Sequence, residues 1–520
     1  MSNSKRQISS NVVGLSYARE KELGVLHSTT ATPPDAIDPT WYELEPNGYN
    51  DFGVEIETVA RDPINSSRQN KKGVVVDANA DGGFTHDLQQ RNLQRLMQGF
   101  MFADMRELGT TLRVSDGVNT AYTVTATGLA TTGDFTTRFS VGDIVKGNRH
   151  TNVANDAVGV VTAVTAGVLT LNTTDLVAEA PPAYANYEVV GKETTDDQLG
   201  LTVGVADYRL EADAAFDLTS LGLNVGQWIG VDFGEGNRGF AKIQSISAAT
   251  IVLKEPTWQS AASLPRSGDP AGTGAKVSLW YGPVIRNEKD LSKIICRSWQ
   301  IERTLGNDEN GVQSEYLIGA IANEFNMSLE TASKIETEMN FVALDAEYRN
   351  GNEGLKNGTR IPVLIEDVFN TTSNVVQIRL FVHDDSLAQA NSLFGYVNEA
   401  AINVTNGAEG LKAIGVFGSF DVKTENFTVS GDLDVYFSTV AAVQAVRNNA
   451  DVAMNVIMAK DNAGMVFDIP LLSLGGGRVN VEKDEPIMLP LSHSAAENQD
   501  GYTMMISYFN YLPDYFMPQV

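Results

Sequence analysis

Along most of the chain, apolar and polar residues alternate one for one between clusters of Gly, Asn and Asp. That is the pattern of half-buried antiparallel strands joined by tight turns, so a mainly β protein is predicted. Two stretches change period. From Asp87 to Met101, Leu93, Leu96, Met97 and Phe100 recur at helical spacing, and from Ser438 to Asn449 so do Val440, Val443 and Val446. Each predicts one amphipathic helix laid on a sheet. Thr85 and Asp87 supply an acceptor and a negative charge at the start of the first, and Ser438 is the expected N-cap of the second.

Between 109 and 282 helix signals fade and Thr, Val, Ala and Gly dominate, and two segments there resemble each other. Phe139-Ser-Val-Gly-Asp-Ile-Val145 is followed by Val161-Thr-Ala-Val-Thr-Ala-Gly-Val-Leu-Thr-Leu171; Leu223-Asn-Val-Gly-Gln-Trp-Ile229 is followed by Ile243-Gln-Ser-Ile-Ser-Ala-Ala-Thr-Ile-Val-Leu253. A shared turn entering a strand, then a hairpin of alternating apolar residues, predicts two small β-barrels in tandem. A second repeat relates the ends of the chain. Strand 72–77, the first helix and the hairpin Met327–Met339 recur in order as strand 430–435, the second helix and the segment Val479–Leu491. Met327, Leu329, Ile335 and Met339 fall on Val479, Val481, Ile487 and Leu491 without a gap.

The expected fold class is therefore mainly β: a duplicated β-sandwich module, each copy with one flanking α-helix, plus inserted small β-barrel domains. The expected domains are 1–108 with 286–355, a first module interrupted by insertions at 109–198 and 199–285, then a second module at 356–520.

Composition narrows the function. With 42% apolar and 20% charged residues the chain is globular, and 65 acidic against 38 basic residues leave a net charge of −27. A broad phosphate-gripping surface needs clustered Lys and Arg and is excluded as the main function. Cys296 is the single cysteine, so intramolecular disulfides and a cysteine zinc knuckle are excluded. The first residues lack an apolar signal region, and no stretch approaches the roughly 20 apolar residues a membrane helix needs, so no membrane association is expected.

No catalytic signature emerges. Asp77-Ala-Asn79-Ala-Asp81-Gly82 copies the first half of a calcium loop, but Leu88 stands at its twelfth position, and a polar turn accounts for the same residues. His27, His86, His150, His383 and His493 are scattered and are expected mostly at the surface. Cys296 lies in the β-like run Ile294–Trp299, where packing is its expected role, and Gly475-Gly-Gly477 precedes a strand and reads as a hairpin connection. No cofactor, metal or catalytic residue is expected.

The informative constellation is the hairpin from Glu324 to Phe341. Phe325, Met327 and Leu329 alternate with Glu324, Asn326, Ser328 and Glu330; Ile335, Met339 and Phe341 alternate with Glu336, Glu338 and Asn340, with Lys334 as the sole cation. One face is then core and the other a sheet of carboxylates and amides. Such a face is either a solvated exterior or the wall of a channel that repels phosphates.

Several segments resemble the tail tube proteins of long, non-contractile-tailed bacteriophages (siphoviruses): Ile8-Ser-Ser-Asn-Val-Val-Gly-Leu-Ser-Tyr-Ala-Arg19, Trp41-Tyr-Glu-Leu-Glu-Pro46, Asn92-Leu-Gln-Arg-Leu-Met-Gln-Gly-Phe100, Val225-Gly-Gln-Trp-Ile229, Arg297-Ser-Trp-Gln-Ile-Glu-Arg303 and Val440-Ala-Ala-Val-Gln-Ala-Val-Arg-Asn-Asn449. The resemblance implies a non-enzymatic virion protein, assembled in the host bacterial cytoplasm, whose sheets join into rings that stack into a tube for genome ejection. With a duplicated module, three chains make a pseudo-hexameric ring; with a single module, six are needed. The implied partners are the chain itself, the tail tip and tail terminator proteins, and double-stranded DNA and the tape-measure protein passing through the lumen without tight binding.

On this reading Glu324, Asn326, Glu330, Glu336, Glu338 and Asn340 are the candidate channel residues. Met488 and Pro490 replace Glu336 and Glu338 in the second copy, so Glu482, Asp484 and Glu485 are its candidates. Residues 1–40 and a basic loop with Arg61, Arg68, Lys71 and Lys72 are candidates for contacts between rings. The competing readings are a receptor- or carbohydrate-binding tail component, whose inserted barrels would expose aromatics such as Trp228, Tyr208 and Tyr122, and a glycan hydrolase using a carboxylate pair.

Overall fold

The computed structural model describes residues 13–28, 39–64, 69–106, 111–113, 122–173, 175–182, 184–234, 237–258, 263–264, 276–308, 311–481 and 483–518. The N-terminal part forms β1 (Gly14–Glu22), β2 (Val25–Leu26), β3 (Thr40–Leu44), β4 (Gly48–Arg61), β5 (Lys71–Asp87) and α1 (Gln94–Phe100). The middle forms β6 (Thr111–Arg113), β7 (Tyr122–Thr125), β8 (Gly128–Thr131), β9 (Asp143–Asn148), β10 (Val158–Val164), β11 (Val168–Leu171) and β12 (Asn186–Glu193). It continues with β13 (Leu199–Val203), β14 (Tyr208–Ala212), β15 (Trp228–Asp232), β16 (Arg238–Ile246), β17 (Thr250–Lys254), β18 (Ser278–Trp280) and β19 (Val284–Arg286). Then come β20 (Ser298–Asp308), β21 (Gly311–Glu330), β22 (Glu336–Ala343), β23 (Asp345–Arg349), β24 (Thr359–Ile361), β25 (Val375–Val382) and β26 (Val397–Thr405). The remainder is β27 (Glu409–Leu411), β28 (Asp421–Lys423), β29 (Thr428–Tyr436), α2 (Ala441–Arg447), β30 (Val452–Lys460), β31 (Ala463–Gly476), β32 (Met488–Ala495) and β33 (Met505–Phe509). The protein is mainly β and rich in sandwich-like packing, as the alternation predicts.

Two compact units divide the chain. The first holds residues up to Asp104, Asn287–Thr371 and Asn398–Leu433, and the second holds Met105–Arg286, Thr372–Val397 and the residues from Asp434 on. In the first unit β1 pairs with both β20 and β3, with Tyr17 and Ala18 at 1% and 0% exposure. Residues 14–22 are thus a core strand and not a free arm reaching another ring. β20 turns into the long β21, which pairs with β22, β23 and β26; β22 pairs with β5 and β5 with β4. In the second unit β25, β30 and β31 run side by side, and β32 and β33 both pair with β31.

The two units repeat one register. Asp308 opposes Gly311 in the first hairpin and Lys460 opposes Ala463 in the second, a shift of 463 − 311 = 152 residues. The same shift carries the pair Ala322 and Phe341 onto Leu474 and His493. Leu88 N–H donates to Ile335 O where β5 ends, and Phe437 N–H donates to Ile487 O where β29 ends.

Both helices are shorter than their periodicity predicts. Sheet pairing captures Thr85, Asp87 and Leu88, so β5 continues where the first helix was expected to start and α1 begins only at Gln94. Its apolar stripe is nevertheless buried, Leu93, Leu96, Met97 and Phe100 all at 2% exposure or less. In α2 the N-cap position is Val440, the Thr439 hydroxyl accepts from Ala441 N–H, and Ser438 plays no capping role. Ala442 and Ala445 are its buried residues, whereas Val440 is 60% exposed, so small side chains make the contact that the valine spacing predicted.

Described residues between 111 and 280 form a sheet of their own within the second unit, and among them no barrel closes. The tandem repeat is plain in its topology: β7-β8-β11-β10-β9-β12 and β13-β14-β17-β16-β15-β18 run in the same order, and the halves meet where β12 pairs with β18. Both copies carry a bulge at the same place, Val161/Ala163 and Ile243/Ser245. Each copy also keeps its own apolar cluster, Leu129, Val145, Val161 and Tyr187 in one and Leu210, Ile229, Ile243 and Leu279 in the other. The halves stay open because one continuous path through β12 and β18 satisfies edges that closure would otherwise have to remove.

The Val-Gly turns show why the repeat is legible. Gly142 and Gly226 have φ of +90° and +88°, and their N–H groups donate to Val161 O and Ile243 O at 2.8 Å each. Asp143 and Gln227 follow, their side chains accepting from Ser140 N–H at 2.7 Å and Asn224 N–H at 3.0 Å. A Cβ on residue 142 would strike the Glu193 carbonyl oxygen. Gly142→Ala is therefore expected to cost roughly 1–3 kcal/mol and to lower the melting temperature of the second unit by several degrees in calorimetry.

Candidate functional site

The site is one face of the first unit's sheet. β21 and β22 set Glu324 opposite Asn340, Asn326 opposite Glu338 and Ser328 opposite Glu336. β26 adds Thr405 beside Glu324, Asn403 beside Asn326 and Glu399 beside Glu330. On the other flank β5 places Thr85 against Glu338 and Asp87 against Glu336, and β4 places Glu57 against Asp77 and Glu55 against Asn79. Directly opposed residues share a face, so these side chains cover one side of the strands β26, β21, β22, β5 and β4. The reverse side holds Phe84, Phe325, Met327, Leu329, Met339 and Phe341, each at 3% exposure or less. α1 seals it, the Phe100 ring lying 5.9 Å from Phe325 and 5.4 Å from Phe341. Period-two alternation under a helix-covered core is what forces the carboxylates outward.

Two lysines and several amides order this face. Lys334 Nζ lies 2.5 Å from Asp87 and 3.5 Å from Glu336, and the Asn47 amide donates to Asp87 at 2.6 Å. Partial burial alone would raise the Asp87 carboxyl, but the bonds from Lys334 and Asn47 outweigh it and hold the pKa below the usual range. Lys412 bonds both Asp77 and Asn79, and its hydrogen bond lowers the Asp77 pKa. Asp81 shifts the other way, raised by burial and then by the nearby charges of Asp51 and Glu55. Glu338 accepts from the Asn50 amide at 2.7 Å and the Asn340 amide at 3.3 Å. Among the described residues no three His, Cys, Asp or Glu side chains are arranged to hold a metal. The carboxylates are spread out and oriented by neutral amides, an arrangement that repels anions over a surface instead of gathering a cation at a point.

The sequence profile of phage tail tube proteins matches residues 10–495, nearly the whole length. The chain belongs to the phage tail tube protein family. It is a structural component of the phage virion and self-assembles into the tail. No curated protein sequence matches it. Among the described residues of this tail tube protein no helix is long and apolar enough to cross a membrane.

The six hairpin residues Glu324, Asn326, Glu330, Glu336, Glu338 and Asn340 come together on this face. In the second unit the equivalent positions of β32 carry Met488, Pro490, Ser492 and Ser494, with no charge. Asp484 and Glu485 sit in the exposed turn before β32, and Glu482 lies outside the described residues. Arg61 and Lys71 oppose each other at the far end of β4 and β5 with Lys72 beside them, all exposed, while Arg68 lies outside the described residues.

Several tail tube residues sit where sequence reasoning did not put them. Asp77, Asn79 and Asp81 are inside β5, so neither a calcium loop nor a polar turn forms; their two-residue spacing was the missed signal that they extend the acidic face. His86, His150 and His493 are buried at 1%, 6% and 3% exposure, His150 bonded to Tyr122 and Asp156. Cys296 is exposed in the coil before β20, not packed in a strand. Tyr122, Tyr208 and Trp228 are core residues at 1%, 9% and 0% exposure, so they form no sugar-binding platform.

Proposed function

We propose that this chain is the subunit of a siphovirus tail tube, in which stacked rings form a conduit whose wall includes the acidic face of the first unit, and through which the genome is ejected. The observation that carries the reading is that face. It is a sheet surface with carboxylates and amides on one side and a helix-sealed core on the other, in a member of the tail tube family. DNA in such a lumen meets like charge at every level, so it slides instead of sticking. The repeated register of the two units supports a duplicated tube module, so that three chains supply six modules in a pseudo-hexameric ring. The open sheet of 111–280 is read as a decoration outside the conduit, and the tail tip, tail terminator and tape-measure proteins as the tube's partners.

Negative-stain electron microscopy of the purified chain, with mass photometry on the same sample, tests this. Hollow tubes, or rings of three chains, are expected. Rings of six would keep the tube and remove the duplicated module, and a monomer without rings at high concentration would overturn the reading.

A further inference from the structure

The far half of the β4–β5 hairpin has no cover. Ile56, Val59, Val74, Val75 and Val76 are each about half exposed, between 48% and 54%, and since consecutive strand residues point to opposite sides, both sides of this ribbon are open. Among the described residues β4 pairs only with β5, which leaves its outer edge beyond Gly53 without a backbone partner. A bare two-stranded ribbon with valines on both faces is marginal in water, and an open edge of this length invites pairing with another strand.

The same chain shows how the equivalent ribbon is covered. Superposing Leu88 on Phe437, whose N–H groups make matching bonds, is a shift of 437 − 88 = 349 residues. It places Ala80, Phe84 and His86 on Val429, Leu433 and Val435, all buried. β29 is thus the counterpart of β5. Its neighbour β26, tied to it by the bond from Glu425 N–H to Asn406 O, is then the counterpart of β4. β26 is not bare: it lies antiparallel along the edge of β21, from Glu324 against Thr405 to Glu330 against Glu399, with Ala400, Ile402 and Val404 at 2% exposure or less.

Past the bulge at Ala322/Glu324, which β31 lacks, Glu324 opposite Asn340 falls on Gly475 opposite Ser492, so the edge residues 324–330 correspond to 475–481 at the end of β31. There, among the described residues, 473–479 make backbone bonds only to the β32 side. One ribbon without an edge and one edge without a ribbon therefore remain. We infer that β4 of one chain adds antiparallel to residues 473–479 of a second copy, as β26 adds to β21 within the chain. The part of β4 beyond Gly53 then runs beside residues 475–479, where Gly475, Gly476 and Gly477 present no side chain to obstruct the incoming strand. Arg478 is the exposed cation of that segment, and the arriving strand brings the exposed carboxylates of Glu55 and Glu57.

This inference rests on the reading of the chain as a self-assembling tube subunit, and one experiment separates the two. The full chain carrying Ile56→p-benzoylphenylalanine is mixed with isotope-labelled unmodified chain, assembled, irradiated and digested, and mixed-isotope cross-links are mapped by mass spectrometry while microscopy records tubes. Interchain cross-links from position 56 concentrated in residues 471–482 support the pairing. Tubes whose cross-links fall elsewhere, or only within one chain, overturn the pairing and leave the tube. Cross-links at 471–482 without rings or tubes support the pairing and overturn the tube. Neither product overturns both.

Discussion

Asp468→Ala is expected to destabilise the second unit by roughly 3–5 kcal/mol, a large part of the roughly 5–15 kcal/mol that holds an ordinary domain folded. Asp468 is 2% exposed in the middle of β31, whose first eight residues are all buried. One carboxylate oxygen accepts from the Trp228 indole N–H at 3.2 Å and the other lies 2.6 Å from Lys242 Nζ. Burial by itself would pull the Lys242 pKa down, but the facing carboxylate more than offsets this and raises it above the ordinary lysine range. A raised lysine contributes its full stabilisation below the unfolded pKa of about 10.4 and loses it only as pH climbs through the higher folded value, so the pair is intact at neutral pH. Alanine removes the carboxylate in contact with the buried ammonium and leaves the indole donor unsatisfied. Asp468→Asn keeps an acceptor for Trp228 and should lose less. The double change Lys242→Met with Asp468→Leu should regain most of the loss, since apolar replacement of a buried pair is often neutral. Urea unfolding followed by Trp fluorescence measures all three, and a loss for the alanine variant under about 1 kcal/mol would refute the account.

Such pairs mark the limit of what the sequence discloses. The alternation of Phe325, Met327 and Leu329 with Glu324, Asn326 and Glu330 is a local signal, and the strand delivers it unchanged, because a period of two can put a side chain only on one face or the other. The Val-Gly turns were legible for a similar reason: a left-handed φ in a tight turn favours glycine, so both copies keep it. The remaining members of the acidic face were not legible. Asp87 beside Glu336 and Glu57 beside Asp77 depend on which strands become neighbours and in what register, and the sequence between them does not encode that distance. The helix starts failed through competition: Thr85 and Asp87 are good helix-initiating residues, but pairing with β22 holds them in the sheet. The histidines failed for want of context, since His150 is buried by Tyr122, Tyr187 and Asp156, drawn from three separate segments.

Reversing charge on the acidic face should turn the conduit into a trap. Glu324→Lys with Glu336→Lys changes two half-exposed or exposed positions, neither of which supports the core behind them, so tubes are expected to assemble with a melting temperature close to that of the parent. Each chain gains four units of positive charge where the parent presents carboxylates, beside Lys334, which loses its Glu336 partner 3.5 Å away. In stacked rings these lysines recur at every level and neutralise successive phosphates. DNA retention by the variant tubes should then fall with salt at a log–log slope of about 0.9 per phosphate contacted, whereas parent tubes show no retention at any salt. The control Glu324→Gln with Glu336→Gln removes repulsion without adding attraction and should retain DNA weakly at most. Filter-binding of fluorescent double-stranded DNA to purified tubes between 50 and 200 mM salt reads this out. Phage complemented with the lysine variant should adsorb normally and eject slowly. DNA retention by the lysine tubes without slower ejection by the lysine phage would place this face on the outside of the tube, and would leave the conduit to be lined by other residues of the ring.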